Sequence, residues 1–190
     1  MMSIIALWVL VLGETALLVL LLRALGALKI QGQPSHVPPP AMTTIDEGGL
    51  AIGEIAPSFA AQDGEGNNMQ LAETDGRSRL LIFLQPGCSA CANAIVLINA
   101  LVERDPHIAL SVFGLADQDA NKVYAEQSSL RVPLWTPSDT SCEKTYGIRA
   151  IPFAFVLDER RVIQAKGIVS HQLQFEQLLK FLPERVPASL

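Results

Sequence analysis

Cys88 and Cys91 stand three residues apart in "QPGCSACANAIVLINAL", where an apolar run gives way to a helical pattern, in a chain that has only 3 cysteines. Two chemistries suit a pair at this spacing: a metal clip, or a dithiol that is reversibly oxidised. A cysteine in the first turn of a helix faces unpaired backbone N–H groups and the positive end of the helix dipole, and both favour thiolate over thiol. The thiolate is the nucleophile, so Cys88 is the candidate attacking residue. Cys91 falls nearly one turn later, on the apolar stripe continued by Ile95, Ile98 and Val102. It is therefore expected to be less exposed than Cys88 and close enough to resolve a mixed disulfide formed there.

A structural zinc site needs four ligands, usually from a second Cys/His pair at similarly short spacing. The other candidates are Cys142, His36, His107 and His171, all far from one another in the chain. No metal and no other cofactor is expected on this reading. The alternative is a copper-binding or non-catalytic assembly module that holds a partner and uses the cysteines as ligands, Cu(I) being soft enough to suit thiolates and a distant His such as His171 completing the set. Cys142, in "DTSCEKTYG", falls in a short helix starting near Ser141. It reads either as a small buried residue or as a third redox thiol that pairs transiently with the dithiol or with a client.

The elements that would hold this pair begin after a long preamble. Hydrophobic residues make up 49% of the 190-residue chain and charged ones 17%, with the excess apolar character at the front. Residues 3–22, "SIIALWVLVLGETALLVLLL", contain one charge, Glu14, and match the ~20 residues a helix needs to cross a bilayer. A cleaved signal peptide would have a basic start and small residues at its end. Nothing basic precedes this run and Arg23 follows it, so an uncleaved anchor over residues 1–30 is expected. A charged carboxylate at mid-bilayer is costly, so Glu14 should be protonated or shielded, either simply tolerated or touching a partner membrane helix. Residues 31–50, rich in Pro and Gly, form a linker stiffened at Pro38–Pro40. Residues 51–190 form the folded domain. The net charge of −5, without clustered Lys and Arg, excludes nucleic acid as a partner.

Within that domain the alternation of apolar runs predicts strands over 79–85, 108–116, 153–158 and 162–169, the last two making an antiparallel hairpin around Glu159–Arg161. Helices are predicted over 92–104, 119–127 and 170–182, the last with Phe175, Leu178, Leu179 and Leu182 on one face. Residues 59–71, around a Gly-Glu-Gly-Asn turn, read as an added hairpin. This is an α/β chain, and its order of elements is similar to a thioredoxin-like core, a central mixed sheet flanked by helices.

The resemblance extends to motifs. "YGIRAIPFAFVLD" sets Ile151 and Pro152 just ahead of a strand, some sixty residues after the cysteines. In thioredoxin-like proteins this proline is cis, faces the dithiol and leaves adjacent backbone free to pair with an extended client, so the resemblance assigns Ile151 and Pro152 a substrate-positioning role. Taken alone, a proline at the entry to a strand is ordinary. The attacking cysteine of peroxiredoxins, which share the fold, follows Pro-x-x-x-Thr/Ser-x-x-Cys, and here Gln85 stands at the Thr/Ser place before Cys88. The chain as a whole resembles the MauD family of membrane-tethered redoxins, on the anchor with "LLRALGALK", "IGEIAPSF", "FLQPGCSAC", "YGIRAIPFAFVLDE" and "AKGIVSHQLQFEQLL".

That resemblance implies a protein-disulfide oxidoreductase or isomerase at the cytoplasmic membrane. Its domain would lie on the periplasmic, extracytoplasmic side, and its clients would be cysteine-bearing proteins such as the small subunit of methylamine dehydrogenase. Three positions depart from the relatives. Ser89 replaces the family's Pro after the first Cys, so its redox potential does not carry over. Gly87 and Ile82 stand where thioredoxin has a Trp and a buried Asp. Without that Asp, deprotonation of Cys91 must use water or another base. Arg23 and Lys29, both after the span, weakly favour the opposite membrane orientation.

Overall fold

The computed structural model describes residues 48–71 and 76–182. The expected membrane span over residues 3–22 and nearly all of the linker lie outside these. The described chain forms seven strands, β1 (Ala60–Gln62), β2 (Asn68–Gln70), β3 (Arg79–Leu84), β4 (Leu110–Gly114), β5 (Leu134–Pro137), β6 (Phe153–Leu157) and β7 (Ile163–Ile168). Four helices accompany them: α1 (Ser89–Arg104), α2 (Gln118–Gln127), α3 (Cys142–Thr145) and α4 (Gln172–Leu179).

The strands make one sheet in the order β2-β1-β5-β4-β3-β6-β7. β3, β4 and β5 are parallel, while β1, β2, β6 and β7 join antiparallel. Two successive crossovers run in the same direction across the sheet, so the right-handed rule puts α1 and α2 on one face. Alternation along β3 then divides the core. Leu80, Ile82 and Leu84 join Cys91, Ile95, Ile98, Phe175 and Leu178 on the first face. Leu81 and Phe83 join Phe113, Phe153, Phe155, Cys142 and Tyr146 on the second. Strands buried on both faces read as continuous apolar runs, which is why "RLLIFL" and "FAFVL" are legible as strands at all. The result is the thioredoxin-like α/β arrangement, with a mixed sheet.

Several boundaries differ from expectation. α1 begins at Ser89, three residues before the predicted Ala92, because Cys88 supplies its cap. Its buried stripe is Cys91, Ala94, Ile95, Ile98 and Leu101; Val102 is only half-buried, the drift expected of a 3.6-residue period over three turns. Each large apolar side chain in that stripe contributes ~1.5–3 kcal/mol on full burial. β5 was not foreseen. It is four residues long, follows Pro133 and ends in Pro137, with no alternation, yet it pairs with both β4 and β1 and so fastens the added hairpin to the core. That hairpin has the expected place, and Asp63 holds its turn by accepting the N–H groups of Glu65 and Asn67, each at 2.9 Å. Gly48, Gly49 and Leu50, read with the linker, are hydrogen-bonded into the fold: Gly49 N donates to Gly147 O at 2.7 Å and Leu50 N to Tyr146 O at 3.0 Å.

Candidate active site

β3 ends at Leu84, and Gln85, Pro86 and Gly87 turn the chain into α1. Gly87 has φ +77°; a Cβ there would meet nothing within 4 Å, so what the position requires is the left-handed backbone rather than space. Cys88 follows as the N-cap, with extended backbone (φ −83°, ψ 110°), and its Sγ accepts the N–H of Cys91 at 3.2 Å. A sulfur in a role usually filled by Ser or Asp thus sits at the positive dipole end, sharing the Cys91 N–H with the Cys88 carbonyl oxygen, which accepts it at 3.1 Å.

Cys88 and Cys91 are joined as a disulfide, with Cα atoms 5.3 Å apart. Cys88 is half-buried, whereas Cys91 has 0% exposure. The Cys88 sulfur is therefore the one a second protein can reach, and the Cys91 sulfur lies beneath it on the first face of the sheet. Ile82, at the place where thioredoxin carries an acid, is fully buried in the same apolar cluster. Nothing ionisable stands there to take a proton from Cys91.

The loop ahead of β6 closes the other side. The Ile151–Pro152 peptide is cis, and the Ile151 carbonyl oxygen lies 3.7 Å from Cys88 Sγ. In the disulfide that sulfur has no proton to give; in the dithiol it can donate to this oxygen. The loop is fixed from behind, since Pro152 O accepts the N–H of Val169 at 3.1 Å. Ile151 packs against both core clusters, at the edge where the two faces of the sheet meet.

Cys142 is elsewhere. It starts α3 and is buried in the aromatic cluster on the second face, with the sheet between it and Cys91. Burial first, and then the nearby negative charge of Asp139, push its thiol up to about 12. The structure thus brings Cys88, Cys91, Ile151 and Pro152 together and leaves Cys142 apart. His171, the distant ligand of the copper alternative, is an exposed residue at the head of α4. Among the described residues no three His, Cys, Asp or Glu side chains converge to hold a metal ion.

One supporting residue had no sequence signal. Asn121 lies in the polar helix α2 yet is 2% exposed. Its Nδ2 is within 2.9 Å of both Gly114 O and Ala116 O, so it holds the end of β4, and Leu115 N, just past that end, donates to Leu84 O just below the dithiol turn. A Cβ on Gly114 would collide with the Asn121 amide, which explains the glycine.

Comparison with known proteins places this geometry. Residues 52–166 match the family model described as the AhpC/TSA family. The chain is 27% identical over 180 residues to methylamine utilization protein MauD of Paracoccus denitrificans, covering 93% of this chain and 85% of that one. It is 29% identical over 139 residues to thiol-disulfide oxidoreductase ResA of Bacillus thuringiensis, covering 70% and 80%. Among solved structures, the thioredoxin domain of a thiol-disulfide oxidoreductase from Bacteroides vulgatus superposes with a TM-score of 0.60 at 20% identity, covering 70% of this chain and 99% of that domain. At that identity the last match speaks for the fold.

Proposed function

The chain belongs to the AhpC/TSA family, and from that premise we propose that it is a thiol–disulfide oxidoreductase that works on cysteines of other proteins. The observation that carries this is Cys88 at the cap of α1, half-buried, bridged to a fully buried Cys91 and faced by Ile151. Running as a reductant, the Cys88 thiolate attacks one sulfur of a client disulfide, expelling the other as a thiolate and forming a mixed disulfide. Cys91, once deprotonated, then attacks Cys88 Sγ and releases the second client thiolate. Two electrons pass to the client, two protons return to its sulfurs, and the Cys88–Cys91 bond forms. Read backwards, the same steps oxidise a client dithiol. The loop at Ile151 and Pro152, beside Cys88, is where an extended client segment would lie.

The finer reading is a single-pass protein of the cytoplasmic membrane, anchored through residues 3–22, with its redox domain on the extracytoplasmic side. The similarity to MauD covers 93% of the chain, and so runs through the linker into the apolar N-terminal segment, which supports a shared layout. The same similarity suggests the disulfide-bearing small subunit of methylamine dehydrogenase as client. Arg23 and Lys29 argue for the other orientation, but two charges are a thin basis for the positive-inside rule. Alkaline phosphatase fused after Leu190 is expected to be active in cells; an expressed but inactive fusion reverses the orientation.

The function itself is tested by insulin reduction with the purified, pre-reduced protein, alongside copper analysis of the same preparation. Turnover that is lost in Cys88→Ser supports the oxidoreductase. No turnover together with stoichiometric copper supports the ligand reading instead.

A further inference from the structure

Lys166 lies in the stretch that carries the MauD resemblance, and the dithiol chemistry makes no use of it. It stands on β7 directly opposite Phe155, so its side chain emerges on the second, aromatic face of the sheet. Its Nζ donates to two successive carbonyl oxygens, those of Gly48 and Gly49, at 2.8 Å each. These glycines are the point at which the chain arriving from the linker joins the described fold. Both have left-handed backbones, φ +83° and +79°, and a Cβ on Gly49 would lie 2.9 Å from the Phe153 ring. The ammonium therefore grips a segment that only glycine can form, pressed onto the aromatic cluster. Charge-assisted bonds of this kind are about twice as strong as neutral ones.

What the gripped segment touches gives the clamp its consequence. Gly48 forms a β-bridge with Ile148, Gly49 N donates to Gly147 O and Leu50 N to Tyr146 O. Ile148 is three residues ahead of Ile151, whose carbonyl faces Cys88 Sγ at 3.7 Å. The path from Lys166 to the reactive sulfur thus runs through backbone hydrogen bonds and one short loop. We propose that Lys166 is a positioning residue for the Ile148–Pro152 loop: by holding the linker end against residues 146–148, it sets where Ile151 stands beside Cys88 and so how a client segment is received. The loop's role in receiving a client rests on the oxidoreductase reading; the clamp does not.

The test compares Lys166→Met, which keeps the apolar stem and removes the donors, with Lys166→Arg, which restores a cationic donor, in the full chain in detergent. Amide hydrogen exchange is read first. Lys166→Met should exchange about tenfold faster over residues 48–50 and 146–152, with the rest of the sheet unchanged, and Lys166→Arg should recover most of the protection. In insulin reduction Lys166→Met should lose about tenfold in kcat/KM, mainly through KM, while reaction of the reduced dithiol with 5,5′-dithiobis(2-nitrobenzoate) changes by less than about twofold. Unchanged exchange at 48–50 and 146–152 overturns the clamp, as does faster exchange throughout the domain. Equal losses with insulin and with the small disulfide overturn the role in client positioning. If the exchange result holds but the wild type reduces no protein disulfide, the clamp stands and the oxidoreductase reading falls.

Discussion

The Sγ of Cys88 lies 3.7 Å from the carbonyl oxygen of Ile151, a residue 63 positions later in the chain. On its other side the same sulfur accepts the N–H of Cys91 at 3.2 Å. The two neighbours pull in opposite directions. The helix N–H and dipole stabilise a thiolate, whereas a carbonyl oxygen accepts a hydrogen bond only from the neutral thiol. A client that draws the Ile151 backbone into its own pairing would remove the restraining partner and leave the activating one.

The helix end should win in the free protein, because the Cys91 N–H at 3.2 Å and the helix dipole act together against a single carbonyl at a long distance for a hydrogen bond. In a Cys91→Ser, Cys142→Ser variant, thiolate absorbance of Cys88 against pH should show a midpoint below the free-thiol value of about 8.5. A midpoint at or above that value removes the physical case for Cys88 as the attacking residue.

Cys142 should be silent in the redox cycle. Burial and Asp139 push its thiol up to about 12, so at pH 7–8 it is almost wholly protonated and shut behind the sheet. Iodoacetamide at that pH should label Cys142 only after unfolding. Cys142→Ala should leave insulin reduction unchanged and cost about 1 kcal/mol of stability, from a small cavity. Rapid labelling of the native protein, or loss of turnover in Cys142→Ala, would restore it as a third redox thiol.

How much of this was readable beforehand depends on which forces were local. The cysteine pair, its place at a helix start, and the doubly buried strands "RLLIFL" and "FAFVL" are set by spacing and composition, and these are legible in the sequence. β5 is not, because Leu134–Pro137 owes its strand to partners on both sides rather than to its own pattern. Cys142 shows the same limit. Its short helix near Ser141 is legible, but which face of the sheet it covers is decided by tertiary packing, which sets Phe83 and Tyr146 around it; the local pattern leaves both readings of the thiol open. Asn121 and Lys166 act on backbone carbonyls distant in sequence, and such contacts leave no mark in a local pattern.

The hairpin turn carries the clearest pH dependence. The Asp63 carboxylate is lowered from its ordinary value of 3.8, first by the Asn67 side-chain amide and then by backbone N–H groups of Asn67, Glu65 and Gly66, against some desolvation. A depressed folded-state value means that its contribution to stability is present above the unfolded value and is lost as pH falls through the folded one. Between pH 5 and pH 2 the wild type should therefore lose more stability than Asp63→Asn. Parallel denaturant midpoints for the two across that range would contradict the assignment.

The central claim is that Cys88 attacks and Cys91 resolves, and trapping tests it most directly. Cys91→Ser removes the resolver and leaves Cys88 at its helix cap, so mixed disulfides with clients should accumulate in cells. They should run as discrete bands on a non-reducing gel and disappear with dithiothreitol. Cys88→Ser should give none, because Cys91 is fully buried, and adding Cys142→Ser to Cys91→Ser should leave the bands unchanged. Discrete, reducible bands in Cys91→Ser that are missing from Cys88→Ser are the predicted result. Bands that persist without Cys88, or none at all in Cys91→Ser, would contradict the account.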